Sequence, residues 1–176
     1  MVRKAGTRGL ADWIARRRVA GGFLFGVAVL WLAEPTPRTL AIGAAVAVAG
    51  EAIRLWAAGH LEKGREVTSS GPYALTRHPL YLGSAIIGAG IAIASARPLI
   101  ALVVAAYLGV SIIAAIRTEE AQLTERFGTQ YPDYRAGAAP PGRRRFSAGR
   151  AMRNREYRAM LGLGIALALL AWKIAR

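Results

Sequence analysis

Gly71-Pro72-Tyr73-Ala74-Leu75-Thr76-Arg77-His78-Pro79-Leu80-Tyr81-Leu82-Gly83 packs two proline-marked turns, a basic pair and the start of an apolar run into thirteen residues. The residue before each proline is disfavoured from helix, and proline itself suits the first helical position. A short irregular loop is therefore expected, feeding a helix that begins at Pro79. The first turn of a helix leaves several N–H groups without intrahelical partners, which suits it to holding a carboxylate or phosphate. Arg77 and His78 add positive charge at that point. An ordinary basic loop at a membrane surface is the competing reading.

Beyond this stretch, Leu80–Ala96 and Leu99–Ile116 carry no charge, and each reaches roughly 25 Å or slightly more as helix, enough to cross a hydrocarbon core. Only Arg97-Pro98 separates them, so they form an antiparallel hairpin. The start of one then meets the end of the other on the same membrane face, and His78 comes near Arg117, Glu119 and Glu120.

Upstream, His60–Ser70 is a polar loop, preceded by an apolar run over Leu40–Gly59. That run contains Glu51 and Arg54, three apart on one helical face. Such charges either face a bundle interior, where they pair and mark function, or sit at the interface if the span ends early. Glu34-Pro35-Thr36-Pro37 turns the chain. Val19–Ala33 is uncharged but only about 22 Å long as helix, and Gly22 and Gly26 form a small-xxx-small pair suited to close packing. Residues 1–18 place Leu10, Trp13 and Ile14 on one face among basic residues, which describes an interfacial helix. The bulky Trp31 and Leu32 before Ala33 argue against signal-peptide cleavage there.

Downstream, residues 117–158 are basic and polar. Leu123 and Phe127 share a face and Gly128 is a stop signal, so the first part is expected to be helical to about Phe127. Tyr131, Tyr134 and Pro140-Pro141-Gly142 are expected in irregular chain. Arg143, Arg144 and Arg145 resemble a phospholipid-facing patch, with solvated charge as the alternative. Residues 159–172 are apolar over only about 21 Å, which leaves their crossing open.

Composition supports this layout. Of 176 residues 54% are hydrophobic, yet the formal net charge is +14, and mean hydropathy is +0.31. A soluble domain this apolar would expose large patches, whereas a membrane protein with basic loops combines both properties. A nucleic-acid binder would place its cations on amphipathic segments, not between long uncharged runs. The absence of cysteine excludes disulfides, thiolate metal sites and a cysteine nucleophile, and with only His60 and His78 no metal is expected. The expected fold is all-α, an integral-membrane helical bundle of about five transmembrane helices. The N-terminus holds six Lys and Arg and residues 117–158 hold ten, against one in each tight loop. This asymmetry places the N-terminus, the 60–79 loop and the 117–158 segment in the cytoplasm.

Glu119 and Glu120 facing a basic helix start suit several tasks: holding a cationic amine or sulfonium, accepting ribose hydroxyls, or acting as general base. Consecutive acids are also an ordinary exposed pair bridged to Arg117 or Arg126. Tyr73 and Tyr81 suit stacking on an adenine, and equally an interfacial belt. Gly88-Ala89-Gly90 lies within a span and is no dinucleotide fingerprint.

The spacing Gly-Pro-Tyr-x-x-x-Arg-His-Pro-x-Tyr-x-Gly at 71–83, followed by Arg117, Glu119, Glu120, Leu123, Phe127, Gly128, Tyr131 and Tyr134, resembles the integral-membrane isoprenylcysteine carboxyl methyltransferases and their phospholipid methyltransferase relatives. The resemblance covers roughly residues 50–135. It implies an S-adenosylmethionine-dependent methyltransferase with a cytoplasmic cofactor pocket, acting in the bilayer of a cell inner membrane on a membrane lipid or isoprenoid acceptor, without nucleic acid or metal. By position, Tyr73, Leu75, His78, Pro79, Leu80, Tyr81, Gly83, Glu119 and Glu120 would line the cofactor site. Glu120, Arg77 and Arg54 would serve catalysis, the arginines by orienting an anionic acceptor. The whole chain would be a single methyltransferase domain: an interfacial helix over 1–18, four spans over 19–116, a cofactor-binding segment over 117–158 and a final apolar helix over 159–174. A sterol-reductase-like NADPH enzyme and a non-catalytic membrane scaffold are the alternatives. The basic tail is not matched by eukaryotic members acting on prenylated protein termini, so O-, N- and S-methylation stay open, as does oligomeric state.

Overall fold

The computed structural model describes residues 21–140 and 142–176. The expected interfacial helix over 1–18 and the first residues of the first expected span lie outside them. The described residues fold into helices without a strand. In chain order these are α1 Gly21–Leu32, α2 Pro37–Ala58, a 3-10 turn Gly71–Ala74, α3 Pro79–Ala94, α4 Pro98–Phe127, α5 Gln130–Arg135, α6 Ala148–Arg153 and α7 Tyr157–Ala175. Three of them begin on proline, whose missing N–H has no partner at a first helical position in any case. At α2 the side chain of Thr36 accepts from the N–H of Thr39 at 3.1 Å, and the side chain of Thr39 accepts in return from the N–H of Thr36 at 3.0 Å. That reciprocal cap sets the start of α2.

α2, α4 and α7 are long and apolar enough to cross a membrane. α7, whose crossing the sequence left open, has 19 residues, or about 28 Å of helix. α3 and α1 are shorter apolar helices. Leu24, Leu99, Leu102, Val110 and Leu161 are each more than 60% exposed, an exterior that suits hydrocarbon and not water. The protein is an integral-membrane α-helical bundle. α4 runs unbroken for 30 residues, roughly 45 Å, so its last turns, from Arg117 onward, extend beyond the apolar stretch.

The tightest packing joins α2 to α3 through glycine. A Cβ built on Gly43 would stand 2.4 Å from the Gly90 carbonyl oxygen, and one on Gly90 would stand 2.5 Å from the Gly43 oxygen. Gly50 and Gly83 repeat the relationship at 2.7 Å in both directions. Small residues thus let the two backbones touch. The expected Gly22–Gly26 pair does not work this way: among the described residues Gly26 has nothing within 4 Å of its Cβ position, and Gly22 meets the Tyr107 hydroxyl.

The apolar core lies at the far end of the bundle from His78, where Val29, Ala33, Ala92, Ala94, Ile100, Val104 and Leu170 cluster. Lys173 of α7 donates there to the carbonyls of Leu30, Trp31 and Ala33 at 3.1, 2.6 and 2.6 Å, satisfying the end of α1. At the near end, the segment carrying α6 is strapped across the end of α2. The Asn154 amide donates to the carbonyls of Ala58 and Leu61, and Arg150 to that of Gly59.

Candidate functional site

The hairpin of α3 and α4 brings together residues 42 positions apart. His78, just ahead of α3, has no side-chain capping bond. Instead, its Nε2 lies 3.1 Å from Glu120 Oε1 on the extension of α4. Pro79 begins α3 as expected, and its ring is fully buried. The proline turn and Glu120 are therefore side by side.

Glu120 is the point where this site converges. The Tyr131 hydroxyl donates to Oε1 at 3.0 Å, Arg77 lies 3.7 Å from the same oxygen, and Arg135 lies 3.8 Å from Oε2. Burial alone would raise the pKa of this carboxyl. The hydrogen bonds from His78 and Tyr131, with the Arg135 charge, outweigh it and hold Glu120 below its ordinary value. Burial first, and then the bond to Glu120, push the Tyr131 phenol above its ordinary range. Burial does the same for Tyr73 and Tyr134. The Tyr134 hydroxyl donates to the Tyr73 carbonyl at 2.5 Å and so pins the 3-10 turn to α5.

α5 corrects the expectation that Tyr131 and Tyr134 lie in irregular chain. A helix of six residues gives little periodic signal and is held by tertiary bonds, here the 2% exposed Tyr131 on Glu120 and Tyr134 on Tyr73.

The other expected site residues divide into two groups. Near Glu120, Tyr73 is buried and Tyr81 tilts against the His78 ring at 5.9 Å. Glu119 is half-buried and its side chain makes no hydrogen bond or ion pair among the described residues, although its charge acts on both Tyr73 and Tyr131. Arg77 and Arg135 have side chains 46% and 60% exposed, leaving both accessible from outside. The remaining residues are placed otherwise. Leu75 is 78% exposed. Gly83 faces α2, where an added Cβ would strike Arg54 and the Gly50 carbonyl. The Leu80 carbonyl accepts from Arg54 at 3.4 Å and from Ser84 at 2.8 Å.

Arg54 lies behind the helix start. Its Nε donates to Glu156 Oε1 at 2.7 Å, while its Nη1 reaches the Leu80 carbonyl and the Ser84 hydroxyl. Glu51 is 3.8 Å away, so the pair faces the bundle interior, the first of the two sequence alternatives. Sequence reasoning missed Glu156. Its one signal was being the only acid among the arginines of 143–158.

A protein-family model described as phospholipid methyltransferase matches residues 40–130. The matched span takes in α2 from Leu40 onward, the 3-10 turn, α3, α4 and the His78–Glu120 contact, and ends at the start of α5, before Tyr131, α6 and α7. No curated protein and no solved structure matches the chain.

Proposed function

Since this chain belongs to the phospholipid methyltransferase family, we propose that it is an integral-membrane enzyme moving a methyl group from S-adenosylmethionine to a lipid-like or isoprenoid acceptor. The observation that carries this reading is the His78–Glu120 contact at 3.1 Å, inside the family-matched span. Around it the donor set suits a zwitterionic nucleoside. Glu119, without a partner of its own, suits an ammonium or the ribose hydroxyls. Arg135, beside the other oxygen of Glu120, suits a carboxylate, helped by the N-terminal end of α3. Tyr73 and Tyr81 offer rings to the adenine.

S-Adenosylmethionine supplies a methyl already activated by its sulfonium. The work left to the protein is positioning and exclusion of water. Glu120, tied to His78 and Tyr131, keeps α3, α4 and α5 in register about the site. Arg77, half-exposed beside Glu120, is better placed than Arg54 to orient an anionic acceptor, because Arg54 is engaged by Glu156, Ser84 and the Leu80 carbonyl. We read the whole chain as one domain, with the site on the cytoplasmic face of the cell inner membrane, as the distribution of Lys and Arg favours.

The test is binding of labelled S-adenosylmethionine to the purified protein, followed by transfer of label to a lipid extract. Binding should be competed by the demethylated product and not by NADPH, and Glu119→Gln should weaken it by about tenfold, the scale of one charge-assisted hydrogen bond. No saturable binding would overturn the reading. Competition by NADPH alone would favour a reductase, and binding without any transferred label would favour a non-catalytic role.

A further inference from the structure

The segment 143–158 carries seven arginines, and the structure separates them into two kinds. Arg144 pairs with Glu62 at 2.9 Å and with Glu66 at 2.7 Å, and Arg150 pairs with Glu62 at 2.8 Å. Glu156, the segment's own acid, is held by Arg54. Arg143, Arg145, Arg153, Arg155 and Arg158 are exposed, and no carboxylate among the described residues pairs with any of them. The acids next to the segment are already engaged, so the positive charge of these five is left over.

This charge is held in place. The Ser147 N–H donates to the Gly59 carbonyl at 3.1 Å, Asn154 reaches Ala58 and Leu61, Arg150 reaches Gly59, and Ala151 is buried. The segment is thereby fixed at the level where α2 ends and α7 begins, which is the level of a bilayer surface. Arg155 has φ +62, in the left-handed region that side chains rarely adopt. With Asn154 and Glu156 on either side bonded inward, this conformation leaves Arg155 exposed. Exposed apolar side chains, Phe146 at 47%, Met152 at 58% and Tyr157 at 42%, are interspersed among these arginines, and the Arg158 guanidinium lies 5.9 Å from the Tyr157 ring. Apolar anchors among unpaired cations beside a span end are complementary to an anionic headgroup layer.

We propose that residues 143–158 form a docking surface for anionic phospholipid headgroups, built by the five unpaired arginines with Phe146, Met152 and Tyr157 at the acyl boundary. This holds whether or not the chain transfers methyl groups.

The chain has no cysteine, so Met152→Cys gives a unique position for a fluorophore in the full-length protein. Reconstituted in vesicles, this label is quenched by headgroup-proximal spin-labelled lipid, either phosphatidylglycerol or phosphatidylcholine. Phosphatidylglycerol should quench at about tenfold lower mole fraction at low salt, and the preference should shrink steeply by about half-molar salt. It should vanish when Arg143, Arg145, Arg153, Arg155 and Arg158 are all changed to Gln. Equal quenching by both lipids, or a preference surviving those changes, overturns the proposal. Quenching by neither lipid means that the arginines face bulk water, and overturns it as well. If the five-fold variant does not fold, the salt titration of the otherwise unaltered chain decides, and a salt-independent preference counts against.

Discussion

Glu156 and Arg54 are 102 positions apart and meet at 2.7 Å. Through Arg54 the start of α7 is joined to α2 and to the first turns of α3, directly behind the helix start that follows His78. Glu51 stands 3.8 Å from the same guanidinium, and both of its carboxylate oxygens are buried without a hydrogen bond. One cation therefore serves two acids. Removing the cation leaves two buried carboxylates without compensation, whereas removing Glu156 lets Arg54 turn to Glu51. Arg54→Met should cost about 3–5 kcal/mol, the range for breaking a buried pair, and Glu156→Gln distinctly less. Thermal unfolding in detergent compares them, and equal losses would mean that Glu51 is no substitute partner.

Glycine packing between α2 and α3 gives a second prediction. Gly50→Ala and Gly90→Ala would each drive a methyl into backbone of the facing helix, at 2.7 and 2.5 Å, and the backbone cannot turn aside as a side chain can. Each should cost about 1–3 kcal/mol, the usual range for overpacking. Gly26→Ala and Gly162→Ala, with nothing within 4 Å among the described residues, should be neutral or stabilise by up to about 1 kcal/mol. Melting temperatures of the four variants test this, and a neutral Gly50→Ala would contradict the close approach.

The features legible in the sequence were those written locally. Pro79 does start a helix as expected, and the short break between the end of α3 at Ala94 and the start of α4 at Pro98 forces the hairpin that joins His78 to Glu120. What escaped depended on a partner remote in the chain. Gly22 and Gly26 have the spacing of a packing motif as good as any, but a small residue packs only where another helix arrives, and α3 arrives at Gly43 and Gly50. α5 and α6 have six residues each and exist because Tyr131, Tyr134 and Asn154 are bonded elsewhere. The basic run at Arg143–Arg145 read as uniform, yet Arg144 is paired and its neighbours are not, a distinction made by Glu62 and Glu66.

Acid should loosen the site in a defined window. Glu120 and Glu62 both have pKa values below the ordinary 4.5. For Glu62 the leading cause is the Arg150 hydrogen bond. A carboxyl lowered on folding stabilises above its unfolded value, and that contribution is lost as pH falls through the folded one. Stability should hold down to about pH 4.5 and decline below it. Glu120→Gln should start less stable at neutral pH and decline less steeply. Unfolding midpoints measured between pH 3 and 7 check this, and parallel curves for the two proteins would remove Glu120 from the account.

Alkali should act through the tyrosines, with the opposite sign. Tyr73, Tyr131 and Tyr134 all have phenols raised above the ordinary value of 10.0, burial being the leading cause for each. A group whose pKa rises on folding stabilises fully below its unfolded value, and that contribution is lost as pH climbs through the folded one. Of the chain's six tyrosines, these three should stay protonated in the native protein at pH values where exposed phenols ionise, and stability should fall once pH exceeds about 10. Tyr131→Phe separates this effect from general alkaline damage, because it also deprives Glu120 of a donor. Loss of a hydrogen bond to a charged group costs about 1.5–3 kcal/mol, and the acid decline governed by Glu120 should move to higher pH. Absorbance of phenolate across the alkaline range, read beside the acid unfolding curve of Tyr131→Phe, tests both halves. Complete ionisation of all six tyrosines near pH 10 in the folded protein, or an unmoved acid midpoint, would dissolve the link between Tyr131 and Glu120.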